Sequence, residues 1–188
     1  MRIISGDARG KIIEAPQGLD TRPVTDKIRQ ALFNIWQFDI PNCDFLDLFS
    51  GSGSMGLEAM SRHAHCVIMV EKGKEAANVI RRNIKACHFE NRNIRVLEQD
   101  VFVAIEDLKN KKQTFDKIYL DPPYTVDSIF IPVMEALSDA ALIKEDGEIV
   151  IRTKKEKEMP DQIGVLEKVR TKTWGISTAH FYRKIEVK

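Results

Sequence analysis

The sequence has little cysteine. There are three, an odd count, and Cys43, Cys66 and Cys87 form no Cys-x-x-Cys pair. That excludes a disulfide framework and points to reduced thiols packed as small hydrophobes. "HAHC" (His63, His65, Cys66) is followed by no second ligand pair at zinc spacing, so no metal is expected. Long apolar runs are missing too. None approaches the ~18 residues of a membrane span, and "MRIISGDARG" lacks the apolar core of a signal peptide. A cytoplasmic protein that does not engage membranes is the expectation. An excess of charge of one sign is also absent. Twenty-nine Lys and Arg against 28 Asp and Glu leave a net charge of +1, so any affinity for nucleic acid must come from a local patch. Internal repeats and low-complexity segments are absent.

What is present suits one domain with a small appendage. At 188 residues roughly 70% of the unfolded surface can be buried, so the fold requires no staple. "RIIS" and "KIIEAP" flank "GDARG" and read as a small hairpin, with residues 1–24 as an extension and 25–188 as the main domain. "TDKIRQALFNIWQF" places Ile28, Leu32, Ile35 and Trp36 on one helical face, with Thr25 or Asp26 as cap. Strand and helix then alternate. Strands are expected at 44–50, 65–71, 93–99, 115–121 and 147–153, and helices at 54–62, 74–89, 101–110 and 128–143. On the second of these helices the buried stripe is read as Ala76, Val79, Ile80, Ile84 and Cys87. "VLEKVRTKTWG" and "TAHFYRKIE" close the chain as an antiparallel pair. The pattern predicts a mostly parallel α/β sheet of seven strands with helices on both faces. Its strand carboxyl ends share one rim, where ligands bind in such sheets.

The informative residues sit at that rim. "LDLFSGSGSMG" spells Gly-x-Gly-x-x-Gly with Gly51, Gly53 and Gly56, between a strand and a helix. This fits a dinucleotide and other nucleotide-like cofactors alike. Asp47, four residues earlier, would repel a pyrophosphate and suit a cationic ligand. S-adenosylmethionine carries a sulfonium and an ammonium. Glu71 ends the second strand, where an acid can accept both ribose hydroxyls. Asp100 ends the third, beside Val101 and Phe102, where it could meet an adenine edge.

"YLDPPY" ends the fourth strand. Pro122 and Pro123 remove two N–H groups and fix two φ angles, stiffening the turn. Asp121 and the Pro122 carbonyl become two acceptors, and Tyr124 a stacking face. Together they suit a planar substrate amine with two N–H donors, such as the exocyclic amine of a nucleobase. Acceptors on both N–H groups raise electron density on a nitrogen whose lone pair is otherwise delocalised. The base must leave its stack to reach such a site.

These residues resemble a known family. "LDLFSGSGSMGLEAMSR", "VEK", "QDVF" and "YLDPPY" resemble the motifs of class I, Rossmann-like S-adenosylmethionine-dependent methyltransferases of the amino-methylating kind. "RIISGDARGKII" and "TRPVTDKIRQALFNIW" are more specific, and resemble RsmD, the bacterial small-subunit (16S) ribosomal RNA guanine-N2 methyltransferase family. The resemblance implies that Thr25, Asp47, Phe49, Gly51, Gly53, Glu71, Lys72, Asp100, Val101 and Asp121 hold the cofactor. It implies that Asp121, Pro122, Pro123 and Tyr124 hold the target amine. Its expected partner is small-subunit ribosomal RNA or the assembling 30S particle, and the expected state a monomer. Arg2, Arg9, Lys11, Arg22 and Arg29 are the basic residues expected to meet RNA phosphates. "RTKKEKE" (152–158) reads instead as a solvated loop. Three alternatives stay open here: an amino-methyltransferase acting on another RNA or on DNA, a nicotinamide-dependent oxidoreductase, and a non-catalytic RNA-binding protein on the same fold.

Overall fold

A computed structural model describes residues 1–18 and 24–186. Its helices are α1 (Asp26–Ile35), α2 (Ser54–Ser61), α3 (Lys74–Ala86), α4 (Val101–Asn110) and α5 (Phe130–Ala140). Its strands are β1 (Asp44–Leu48), β2 (Cys66–Val70), β3 (Ile94–Leu97), β4 (Phe115–Leu120), β5 (Ile143–Lys154), β6 (Gln162–Ile163), β7 (Leu166–Trp174) and β8 (Ser177–Lys184). They form one sheet in the order β3-β2-β1-β4-β5-β8-β7-β6. The first five strands of that order are parallel and the last three antiparallel. The expected sheet gains an eighth strand, the two-residue edge strand β6.

Alternation along each strand splits the core in two. Phe45, Val67, Met69, Tyr119, Val150 and Phe181 face α1, α2 and α3. Leu46, Ile68, Ile118, Leu120 and Ile151 face α4 and α5. Both faces are covered, so the central strands are mostly apolar. Asp47, in register with Met69 and Tyr119, is a buried polar residue on the first face, as are Lys117, Glu148 and Arg152. Pro132 lies in the first turn of α5, where its missing N–H costs nothing.

One sequence reading needs correction. On α3 the buried residues are Ala77, Val79, Ile80 and Asn83, with Ile84 partly buried against the same core, and Ala77 takes the place of the Ala76 expected. Asn83 is a polar residue on an apolar stripe because it ties three segments together. Its amide nitrogen donates to the carbonyls of Glu14 and Ser52, and its oxygen accepts the Glu14 N–H. The N-terminal segment folds back on itself as a short hairpin, with an antiparallel bridge from Arg2 to Ile12 and backbone bonds from Ile3 N–H to the Lys11 carbonyl and from Ile13 N–H to the Met1 carbonyl. Ile3, Ala8 and Ile13 are buried in the same core as α1 and α2. The loop's amides satisfy the buried Glu58 carboxylate, which accepts from Ile4 N (2.9 Å), Ser5 N (3.1 Å) and Arg62 Nε (2.9 Å). Tertiary hydrogen bonds to α2 add to the short hairpin ladder.

Candidate active site

The carboxyl ends of β1, β2, β3, β4 and β5 surround a cavity of about 510 Å³. Residues 49–52, 70–72, 99–101 and 121–126 line it, with Asp47, Arg152 and Lys154. Five separate strand ends of the sequence therefore meet in one place.

The glycine loop leaves β1 through Phe49 at φ 62°, a left-handed conformation costly for a bulky residue. Glu71 holds the loop in place. Its Oε2 accepts the Gly51 N–H and its Oε1 the Gly73 N–H, both at 2.9 Å. Gly53 (φ 79°) starts α2. A Cβ on Gly56 would lie 2.7 Å from Met69, so this glycine lets α2 approach β2 closely. Asp100 caps α4, accepting the Phe102 N–H at 2.9 Å, and lines the cavity with Val101.

Asp47 is 1% exposed. Its Oδ2 accepts the Gly56 N–H at 3.3 Å, at the start of α2. Burial is the main cause that pushes its carboxyl up to about 8, and the nearby Asp121 and Glu71 add to it. This position bears on the choice of cofactor. A dinucleotide rests its pyrophosphate on such a helix start. Here a carboxylic acid already takes that amide, and a second carboxylate, Glu71, binds the loop. The donor set fits a ligand with a cationic centre and a diol, and does not fit a pyrophosphate.

Asp121 follows β4 on the same face as Asp47. Arg152 donates to its Oδ2 from Nε (3.1 Å) and Nη2 (2.7 Å), and the buried Tyr119 hydroxyl lies 3.4 Å from the same oxygen. Burial raises the Asp121 carboxyl, and the guanidinium opposes that rise. Pro122 and Pro123 line the cavity, and the Pro123 carbonyl closes the turn by accepting the Val126 N–H (3.1 Å). The Tyr124 hydroxyl donates to the Thr153 carbonyl (3.3 Å). Arg152 and Lys154 stand 5.6 and 5.8 Å from the Tyr124 ring centroid.

Eight of the ten expected cofactor residues therefore line one cavity. Thr25 and Gly53 do not. Thr25 caps α1 by accepting the Ile28 N–H, and Gly53 serves the turn into α2. Among the expected RNA contacts, Arg29 is corrected. It is fully buried, donating to Asp26 (2.8 Å) and to the Arg2 carbonyl, with Glu58 at 3.9 Å. Its charge is met by Asp26 and Glu58 inside the fold and cannot reach phosphate. Arg2, Arg9 and Lys11 are exposed, but the turn holding Arg9 packs on Ser61, at the far end of α2, about 10 Å from the rim. Arg22 lies outside the described residues. The sequence reading missed Arg152 and Lys154, because it took 152–158 for a solvated loop. Only the period-two pattern of "GEIVIRT", which puts Arg152 on the face of Val150, could have flagged the first. Of "HAHC", His63 and His65 pair with Asp7 and Asp44, and Cys66 is buried.

The sheet order, the glycine loop and the Asp-Pro-Pro-Tyr turn define a class I, Rossmann-like methyltransferase fold. The solved structure of a hypothetical protein of Thermus thermophilus superposes with a TM-score of 0.83 at 26% identity, over 98% of this chain and 99% of that one. The family profile described as conserved hypothetical protein 95 matches residues 1–183. YlbH of Bacillus subtilis (strain 168) is 32% identical over 184 residues, 98% of this chain and 99% of YlbH. Ribosomal RNA small subunit methyltransferase D of Haemophilus influenzae is 29% identical over 185 residues, 97% of this chain and 93% of that enzyme. The chain belongs to this family, the RsmD family.

Proposed function

We propose that the protein methylates the exocyclic N2 amine of a guanine in small-subunit ribosomal RNA, with S-adenosylmethionine as donor. The observation that supports this most is that the buried Asp47 and the Asp121–Tyr124 turn face one cavity. Relatives named for small-subunit ribosomal RNA methylation supply the substrate class. When bound, S-adenosylmethionine supplies a methyl carbon made electrophilic by its sulfonium.

The residues divide the work. Asp47 and the loop held by Glu71 favour a cation over a phosphate. Glu71 and Asp100 present acceptors for ribose and adenine, with Phe49 and Val101 as apolar neighbours. Asp121 and the Pro122 carbonyl accept the two amine N–H groups, and Tyr124 stacks on the base. That arrangement fixes the nitrogen lone pair toward the methyl carbon, and positioning supplies much of the rate. The methylated nitrogen sheds its proton to water, since Asp121 is already paired with Arg152. Exposed Lys72 and Lys154 at the mouth, and Arg2, Arg9 and Lys11 on the flank, offer charge to the RNA backbone.

The test uses the purified protein, radiolabelled S-adenosylmethionine and small-subunit ribosomal RNA or particles, with digestion to nucleosides. Label in N2-methylguanosine is expected. Label in another nucleoside, or tighter binding of NAD than of S-adenosylmethionine, would refute the reading.

A further inference from the structure

Arg152 is a cation buried inside the proposed methylation site. It is 5% exposed and stands one residue beyond the Leu120–Ile151 register pair, directly beside Asp121. Among the described residues, every hydrogen bond to the Asp121 carboxylate lands on Oδ2, two of them from Arg152 and one from Tyr119. The two carboxylate oxygens are thereby made unequal. Oδ2 is anchored, and Oδ1 is the one left to accept an incoming N–H. The same guanidinium lies over the Tyr124 ring, whose hydroxyl is tied to the carbonyl of the next residue, Thr153. One side chain thus touches both the acceptor and the stacking platform.

We propose that Arg152 is the positioning residue of the amine site: it aims Asp121 Oδ1 at the substrate amine and sets the plane of Tyr124. The proposal rests on the methyltransferase reading above. Among the described residues, the charged groups sharing the cavity wall with Asp121 are Asp47 from β1, Glu71 and Lys72 after β2, Asp100 before α4, and Arg152 and Lys154 from β5. Tyr119 and Tyr124 are its titratable neighbours on its own strand and turn. Lys72 and Lys154 are exposed to solvent. Arg152 is therefore the buried cation that opposes protonation of Asp121. A protonated Asp121 would lose acceptor strength and carry a donor that competes with the amine.

Arg152→Gln and Arg152→Lys test this. S-adenosylmethionine binding, followed by titration calorimetry, is expected to survive in both, which shows that the variants fold. In Arg152→Gln, kcat falls about 100-fold while KM for RNA changes little. The acid limb of kcat moves to higher pH, so the loss is about tenfold larger at pH 6 than at pH 9. Arg152→Lys restores the limb and only part of kcat, because an ammonium keeps the charge and loses the two-atom fork. An unmoved limb, or a variant more active than the parent, overturns the proposal. A ¹³C titration of the Asp121 carboxyl by NMR gives a readout without turnover. That carboxyl must titrate at higher pH in Arg152→Gln than in the parent, and coincident curves overturn the inference. Absence of methylated RNA from the parent enzyme would count against the activity reading, while the NMR comparison still decides the role of Arg152.

Discussion

At the residue scale, the ligand that fits the cavity is decided by one buried acid. Asp47 is raised to about 8, so with no cation beside it the carboxyl holds its proton at neutral pH. A folded value above the unfolded one means the folded chain binds the extra proton, and the group's contribution to stability declines as pH rises from about 4 toward 8. A cation bound nearby reverses the preference and expels the proton. S-adenosylmethionine affinity should therefore rise between pH 6 and pH 8, and Asp47→Asn should flatten that slope relative to the parent. Calorimetry in two buffers of different ionisation enthalpy counts the released proton directly. Parallel slopes in the two proteins would place the linkage elsewhere. The sequence identified Asp47 because a carboxylate inside an apolar strand is conspicuous. It concealed Arg152, because a basic residue that opens a run of lysines and glutamates looks like the start of a solvated loop. Burial of that residue depends on its register with Asp121, which pairing across β4 and β5 alone determines.

At the element scale, local periodicity made the central strands and helices readable, and their carboxyl ends followed from topology. The fold-back of the N-terminal segment was readable too, but its anchoring on α2 was not. Its strand-like alternation is real, with Ile3 and Ile13 inward, but its amides bond to the Glu58 side chain on α2. Glu58 is fully buried and also meets Arg62 and Arg29. Glu58→Ala leaves the Ile4 and Ser5 amides without their acceptor and removes the carboxylate 3.9 Å from the buried Arg29 guanidinium. We expect a loss of roughly 3–5 kcal/mol, from the cost of orphaning a buried charge. At about 2–4 °C per kcal/mol for a chain of this size, the melting temperature should fall by roughly 10 °C. A fall of only a degree or two by calorimetry would mean that the segment contributes little to the fold.

At the scale of the whole molecule, near-neutral charge excluded a broadly cationic nucleic-acid binder and left local patches. The flank carrying Arg9 and Lys11 is one, the mouth with Lys72 and Lys154 another. Reversing charge at both Arg9 and Lys11 should weaken RNA binding, reduce its salt dependence, and leave S-adenosylmethionine affinity unchanged. Equal RNA affinity in a filter-binding assay would remove the N-terminal segment from the interface and leave the mouth lysines to carry it.

The most direct measurement is single-turnover methyl transfer by Asp121→Ala, with S-adenosylmethionine binding measured on the same sample. The account predicts a cofactor affinity close to that of the parent and a transfer rate at least about 100-fold lower, since the nitrogen loses an oriented acceptor. Transfer at the parental rate by a variant that binds cofactor normally would contradict the assignment of Asp121 as the group that holds the amine.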